Sequence, residues 1–222
     1  MAVRTDLFLV RHGEANCNVA GIVGGDKGCT GLTDRGRWQA EQLAGRLSAE
    51  HAELPFEVVY ASPRRRVRET SDIVTTALGA RAIVEPKLLD LRAGEADGLP
   101  WREVETVFGA QPQEKPHLPY APGAESWNSY LGRVTRILED LVTRHRDQRV
   151  LVLAHGETVE ASFSLMLGLA AESVRDLRFG TQHTGITHWR IQENPYGQIT
   201  KTLMTCNDVN HLANSVPCGC SI

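Results

Sequence analysis

The chain has 222 residues, 41% of them hydrophobic and 23% charged, with a formal net charge of −3. That length supports one sizeable core, and that balance excludes a disordered chain. It also excludes the global basic excess of a nucleic-acid binder, and no apolar run approaches the roughly 20 residues needed to span a bilayer.

In chain order, the run Asp6-Leu7-Phe8-Leu9-Val10 reads as a buried strand. It ends in Arg11-His12-Gly13, at the strand end where open α/β sheets place their ligands. A glycine-rich loop from Gly21 to Gly31 follows. Thr33 then reads as a helix N-cap, with Asp34 in the first turn and Trp38, Leu43 and Leu47 sharing one face. Val58 to Ala61 is a second short strand. It leads to Ser62-Pro63-Arg64-Arg65-Arg66 and a helix through Val67, Ile73, Val74 and Leu78, whose first turn suits Pro63. Ala82 to Glu85 reads as a third strand. Residues 86–125 break the rhythm with six prolines and one short helix near Trp101 to Phe108. A segment of this length and composition reads as a cap over a site. A long helix is expected over about 126–146, with Leu131, Val134, Leu138 and Leu141 inward. Val150 to Ala154 is another buried strand, ending in His155-Gly156. Two last strands, Thr184 to Gln192 and Gln198 to Thr205, are joined by Asn194-Pro195-Tyr196-Gly197.

The alternation of strand and helix predicts an α/β fold. Its expected form is a mostly parallel central sheet, helices on both faces and the proline-rich cap over the C-terminal strand ends. One domain is expected over 1–212, with 213–222 a flexible tail holding Cys218 and Cys220. Five cysteines and a Met1-to-Asp6 start without an apolar stretch argue against disulfides and export. The expected location is the cytoplasm.

Three strand ends thus carry two histidines and a guanidinium cluster, groups suited to a doubly charged phosphoryl group. Leu9-Val10-Arg11-His12-Gly13-Glu14, then Asn18, then Leu32-Thr33-Asp34-Arg35-Gly36, resembles the opening of the histidine phosphatase superfamily, also called phosphoglycerate mutase-like. Ser62, Arg66 and Thr70 fit its second motif, and Ala154-His155-Gly156 fits its third. The resemblance runs from about residue 6 to about residue 212.

Phosphoryl transfer needs a nucleophile, dispersed positive charge and an acid for the leaving group. His12 is the candidate nucleophile, forming a phosphohistidine that water hydrolyses, and the resemblance implies the same role. Arg11 and Arg66 would grip phosphoryl oxygens; the family spacing selects Arg66 and leaves Arg64 and Arg65 to point to solvent or to contact a substrate's distal group. His155 would donate to a phosphoryl oxygen, with Gly156 allowing close backbone approach. Asn18 could donate to phosphate or substrate, or only form a turn.

Many family members place a Glu ahead of a three-residue spacer and Gly. Here Leu89-Asp90-Leu91-Arg92-Ala93-Gly94 makes Asp90 the expected proton donor, with Glu95 and Asp97 as alternatives. Gly123-Ala124-Glu125-Ser126 reads as a helix entry or as a substrate contact through Glu125. His183 and His188, five apart on the expected strand, face opposite sides and converge on no ion. No metal and no cofactor is expected.

The leading function is therefore metal-independent hydrolysis of a small phosphomonoester. A phosphomutase is the first alternative, disfavoured because Cys17-Asn18 stands where such mutases carry Trp-Asn. A phospho-ligand or protein-binding module is the alternative of another class. The expected partner is a small phosphorylated substrate, with no nucleic acid and no membrane; a homodimer is left open.

Overall fold

The computed structural model describes residues 3–109, 112–169 and 177–213. The expected tail with Cys218 and Cys220 lies outside the described residues. Strand β1 (Val3–Arg11) is followed by a short helix α1 (Asn16–Ala20) and a long one, α2 (Asp34–Glu53). Then come β2 (Val58–Ala61), α3 (Arg65–Leu78) and β3 (Ala82–Val84). The proline-rich segment holds α4 (Trp101–Phe108) and ends at α5 (Trp127–Arg144). Strand β4 (Arg149–Ala154), helix α6 (Gly156–Leu167), the hairpin of β5 (Ile186–Glu193) and β6 (Ile199–Asp208), and α7 (Asn210–Ala213) complete the order.

The sheet runs β3-β2-β4-β1-β5-β6. The first four strands are parallel, and β5 and β6 add an antiparallel edge. All six residues of β4 are buried, because strands flank it on both sides and helices cover both faces. One core packs Leu7, Leu9, Val150 and Val152 against Tyr130, Val134, Leu138 and Leu141 of α5 and Val159 of α6. The other packs Phe8, Val10, Leu151 and Leu153 against Leu43 and Leu47 of α2 and Val67 and Val74 of α3. Alternate residues of one strand thus feed opposite faces, as the pleat requires. Each fully buried Leu or Val contributes about 1.5–3 kcal/mol.

Several boundaries differ from the sequence expectation. Trp38 is only half-buried; the inward face of α2 is Gly36, Gln39, Ala40, Leu43 and Leu47. Pro63 precedes α3, which starts at Arg65 after an extended Arg64. Strand β5 starts at Ile186, because Thr184 takes a left-handed backbone (φ 59°) and turns the chain toward Arg11 O. The expected entry to α5 is as read: Ser126 accepts from Ser129 N as its N-cap. The cap segment has its own small core, in which Ala93, Ala96, Val104, Tyr120 and Ala121 pack on Val23 of the glycine-rich loop.

Candidate active site

The sheet places the two motif histidines side by side. Arg11 pairs with Ala154 in the parallel ladder between β1 and β4, so both chains leave the sheet at one level. His12 N donates to Ala154 O at 3.0 Å, and the His12 and His155 rings sit 5.6 Å apart. Ser62 N donates to Leu153 O, which brings the end of β2 and the start of α3 to the same level. Gly13 is required here: a Cβ would lie 2.4 Å from Gly36 O, where the strand end meets the N-terminal turn of α2.

Local bonds set the state of His12. Its Nδ1 lies 2.7 Å from Gly13 O, an acceptor, so Nδ1 carries the proton. Nε2 is then the lone-pair nitrogen, and Arg66 Nε donates to it at 2.9 Å. Burial, reinforced by Arg66, His155 and Arg11, pushes His12 well below the ordinary imidazole range. The depressed imidazole is the neutral form, the one that offers a lone pair. His155 is fully buried and pushed down in the same way, by burial and then Arg66, Arg64 and Arg11. Its Nε2 lies 2.8 Å from Ser62 Oγ, and its Nδ1 faces Arg66 at 3.4 Å. Ser62, singled out in sequence only as a motif residue, is the hydroxyl that orients this ring.

The arginines differ in their freedom. Arg66 is fully engaged, with His12, with Gly24 O at 2.7 Å and with Asp90 Oδ2 at 2.6 Å. Arg11 Nη1 donates to Thr181 O at 2.5 Å, while its Nε is buried with no partner. A buried donor left open beside two neutral imidazoles suits an anion. Gly156 makes room for Thr181, whose carbonyl holds Arg11: a Cβ there would lie 2.6 Å from Thr181 Oγ1 but only in ordinary contact, 3.5 Å, with Arg11 Nε.

Arg64 corrects the reading that it points to solvent. It is 5% exposed, donates to Asp90 Oδ1 through Nε (3.0 Å) and Nη2 (2.7 Å), and pairs with Asp26. Arg65 does face outward, paired with Glu69. Asp90 is buried, and both its oxygens accept from guanidinium groups. Of the alternatives, Asp97 accepts from Lys27 N and Gly28 N and pins the glycine-rich loop; Glu95 is exposed and outside the cavity described below.

Two other expectations change. His183 is not on β5: the turn at Thr184 leaves its ring 5.7 Å from His12, with Nε2 3.2 Å from Asn18 Oδ1. Asn18 is therefore at the mouth of the site, its carbonyl also accepting from Ala15 N. His188 is structural, stacked on Phe8 and bonded to Asp6. Glu125 does not line the cavity. Arg133 holds both its oxygens and also donates to Lys87 O, Leu89 O and Asp90 O, so the pair fastens the stretch that presents Asp90.

Beside the histidines lies a cavity of about 220 Å³, lined by Val23, Gly24, Arg66, Asp90, Trp101, Tyr120, Trp127 and Glu157 among others. It is smaller than the roughly 300 Å³ at which pockets for drug-sized ligands begin. Sequence reading overlooked Glu157, an acid in the first turn of α6 that reads as an ordinary helix-end charge. Burial, with the charges of Asp90, Asp97 and Glu157, raises the Tyr120 phenol above its ordinary range. Among the described residues, no group of three or more His, Cys, Asp or Glu could hold a metal ion, and no helix is long and apolar enough to cross a membrane.

Residues 7–201 match the family profile described as histidine phosphatase superfamily (branch 1). The chain is 30% identical over 207 residues to a protein named phosphoserine phosphatase 1 from Hydrogenobacter thermophilus, covering 90% of this chain and 93% of that one. It is 27% identical over 215 residues to a probable phosphoglycerate mutase from Erwinia tasmaniensis, covering 94% and 95%. A crystal structure of a phosphoserine phosphatase mutant from Entamoeba histolytica with phosphoserine superposes with a TM-score of 0.73, at 21% identity, over 94% of this chain and 99% of that one.

Proposed function

The chain belongs to the histidine phosphatase superfamily, branch 1, and from that premise we propose that it is a metal-independent phosphomonoesterase working through a phosphohistidine on His12. The substrate is a small phosphorylated metabolite, in keeping with the size of the cavity. One observation carries the reading. His12 is buried and neutral, its proton is fixed on Nδ1 by Gly13 O, and its Nε2 faces Arg66 beside the open Nε of Arg11.

The residues divide the work as follows. As Arg66 Nε–H turns from Nε2 to a phosphoryl oxygen, the freed lone pair of His12 Nε2 attacks phosphorus, and the open Nε of Arg11 takes a second oxygen. His155 accepts from Arg66 Nη2 on Nδ1 and donates from Nε2 to Ser62 Oγ; when Arg66 turns to the phosphoryl group and the Ser62 hydroxyl donates to Nε2 instead, Nδ1 becomes the donor that supports charge in transfer. The Arg64–Asp90–Arg66 bridge holds the Arg66 plane. Asn18, tied to His183, lines the entry. Gly156 lets Thr181, which holds Arg11 through its carbonyl, pack against the start of α6.

The relatives include phosphoserine phosphatases and a probable mutase. Hydrolysis is favoured because, among the described residues, the cavity lining holds no cation besides Arg66 for a second phosphate. The enzyme acts in the cytoplasm on a soluble ester. The test is phosphate release from a panel of small phosphomonoesters in a metal chelator, with His12→Ala alongside. Chelator-resistant release that the variant lacks is the expected result. Release unchanged in the variant would overturn the assignment.

A further inference from the structure

Two cysteines meet beside Arg66, and the phosphoryl chemistry uses neither. Cys17 lies on α1 and Cys29 in the glycine-rich loop, and both are buried, at 2% and 6% exposure. The loop is folded back on itself: Cys29 N donates to Gly25 O at 3.2 Å, and Asp97 accepts from Lys27 N and Gly28 N. The two thiols are thereby hydrogen-bonded to each other, and Arg66 hydrogen-bonds to Cys29. Gly24 sits between the pair and the site. A Cβ there would lie 2.6 Å from Cys17 Sγ and 3.0 Å from Arg66 Nη1, and the Gly24 carbonyl accepts from that same Nη1 at 2.7 Å. A glycine lets a thiol and the phosphoryl-binding arginine pack on one loop residue.

The two sulfurs are chemically unequal. The hydrogen bond from Cys17, and then the Arg66 charge, outweigh burial and hold the Cys29 thiol below its ordinary range, while Cys29 and burial push Cys17 above it. A depressed thiol beside a guanidinium is a nucleophilic thiolate, and a protonated thiol in contact with it is its resolving partner. Cys29 is also the reachable one. It lines a second cavity, of about 400 Å³, with Pro63, Arg64 and the exposed Arg65.

We propose that Cys17 and Cys29 form a reversible disulfide when oxidised by hydrogen peroxide, and that this bond switches off the site by drawing Arg66 away from its phosphoryl-binding position. In the first step the Cys29 thiolate attacks one peroxide oxygen. The S–O bond forms, the O–O bond breaks, and the departing hydroxide takes a proton from solvent, leaving Cys29 as a sulfenic acid. In the second step the Cys17 sulfur attacks the Cys29 sulfur. The S–S bond forms, the S–O bond breaks, and the hydroxide leaves as water with the Cys17 proton. The two sulfurs lose two electrons in all, and one peroxide becomes two waters. A dithiol reverses the bond through a mixed disulfide. While it lasts, the bond removes the acceptor that Cys29 offers Arg66 and pulls on the loop whose Gly24 carbonyl holds the same guanidinium. Transient, redox-sensing disulfides of this kind are the ones that a reducing cytoplasm permits.

The inference concerns the regulation of the proposed phosphohistidine site and rests on that reading, and the experiment separates the two. The full chain is treated with hydrogen peroxide, raised until the exposed Cys206 is oxidised, and then with dithiothreitol. Non-reducing peptide mapping and turnover of p-nitrophenyl phosphate follow each stage. Cys29→Ser and His12→Ala are treated alongside, and each protein is compared with its own reduced form. The expected result is a Cys17–Cys29 linked peptide in the oxidised wild type, with kcat/KM lowered by about 10–10²-fold, the scale of a misplaced binding group, and restored by dithiothreitol. Cys29→Ser should keep most of its own activity through the treatment. Both thiols still free, either one linked to a different cysteine, or the expected bond formed with turnover unchanged overturns the proposal. So does a Cys29→Ser variant that peroxide inactivates as far as the wild type. The wild-type mapping needs no variant to fold. His12→Ala should form the same bond, since neither thiol needs the imidazole. Turnover that survives in that variant would instead bring down the phosphohistidine reading and leave the disulfide standing.

Discussion

His12 and Arg66 show how far identity and spacing alone can carry an assignment. The motif fixes the residue type and the strand end fixes the location, and the structure brings the two side chains together at 2.9 Å. Arg64 was not legible, since three consecutive arginines look alike until the extended backbone before α3 turns one of them inward to Asp90. Glu157 was hidden for the opposite reason: an acid in a first helical turn already has a sufficient local explanation. The state of the imidazoles is testable directly. Burial and the surrounding arginines depress His12 and His155, so both rings should stay neutral on titration from pH 7 to pH 5 by NMR of the imidazole protons. A titration near the ordinary value of about 6.5 for either ring would contradict the electrostatic account.

Long, strongly periodic elements were readable, and the joints between them were less so. Helices α4 and α5 and strands β2 and β4 lie where their apolar spacing places them. The start of β5 could not be read, because the left-handed turn at Thr184 is held by Arg11 O from a distant segment, and that turn is what delivers His183 to the site. The entry to α2 is a joint with a consequence for the site. Thr33 Oγ1 accepts from Gly36 N and donates to a Glu14 carboxylate oxygen at 2.8 Å, so the cap ties α2 to the loop that follows His12. Thr33→Ala should cost about 0.5–2 kcal/mol in urea unfolding, the range for a lost N-cap. A loss under a few tenths of a kcal/mol would show that the tie contributes nothing.

The molecule as a whole keeps its chemistry at one edge of a two-faced core, and its buried histidines couple folding to pH. His12 and His155 are held well below their ordinary range, and His183 and His211 are lowered to about 4. The unfolded chain therefore binds more protons than the folded one below about pH 6.5, and stability falls as pH falls through that value. Glu160, raised to about 7 by burial, acts in the other direction between its ordinary value and pH 7, one group against four. The urea midpoint should be lower at pH 5.5 than at pH 7.5, and a midpoint that rises on acidification would contradict this balance. The central claim is the covalent intermediate, and rapid acid-free quenching of the enzyme with a labelled phosphomonoester tests it most directly. The account predicts a base-stable, acid-labile phosphoryl group that peptide mapping places on His12. Steady turnover with no phosphoenzyme, or a label on another residue, would contradict it.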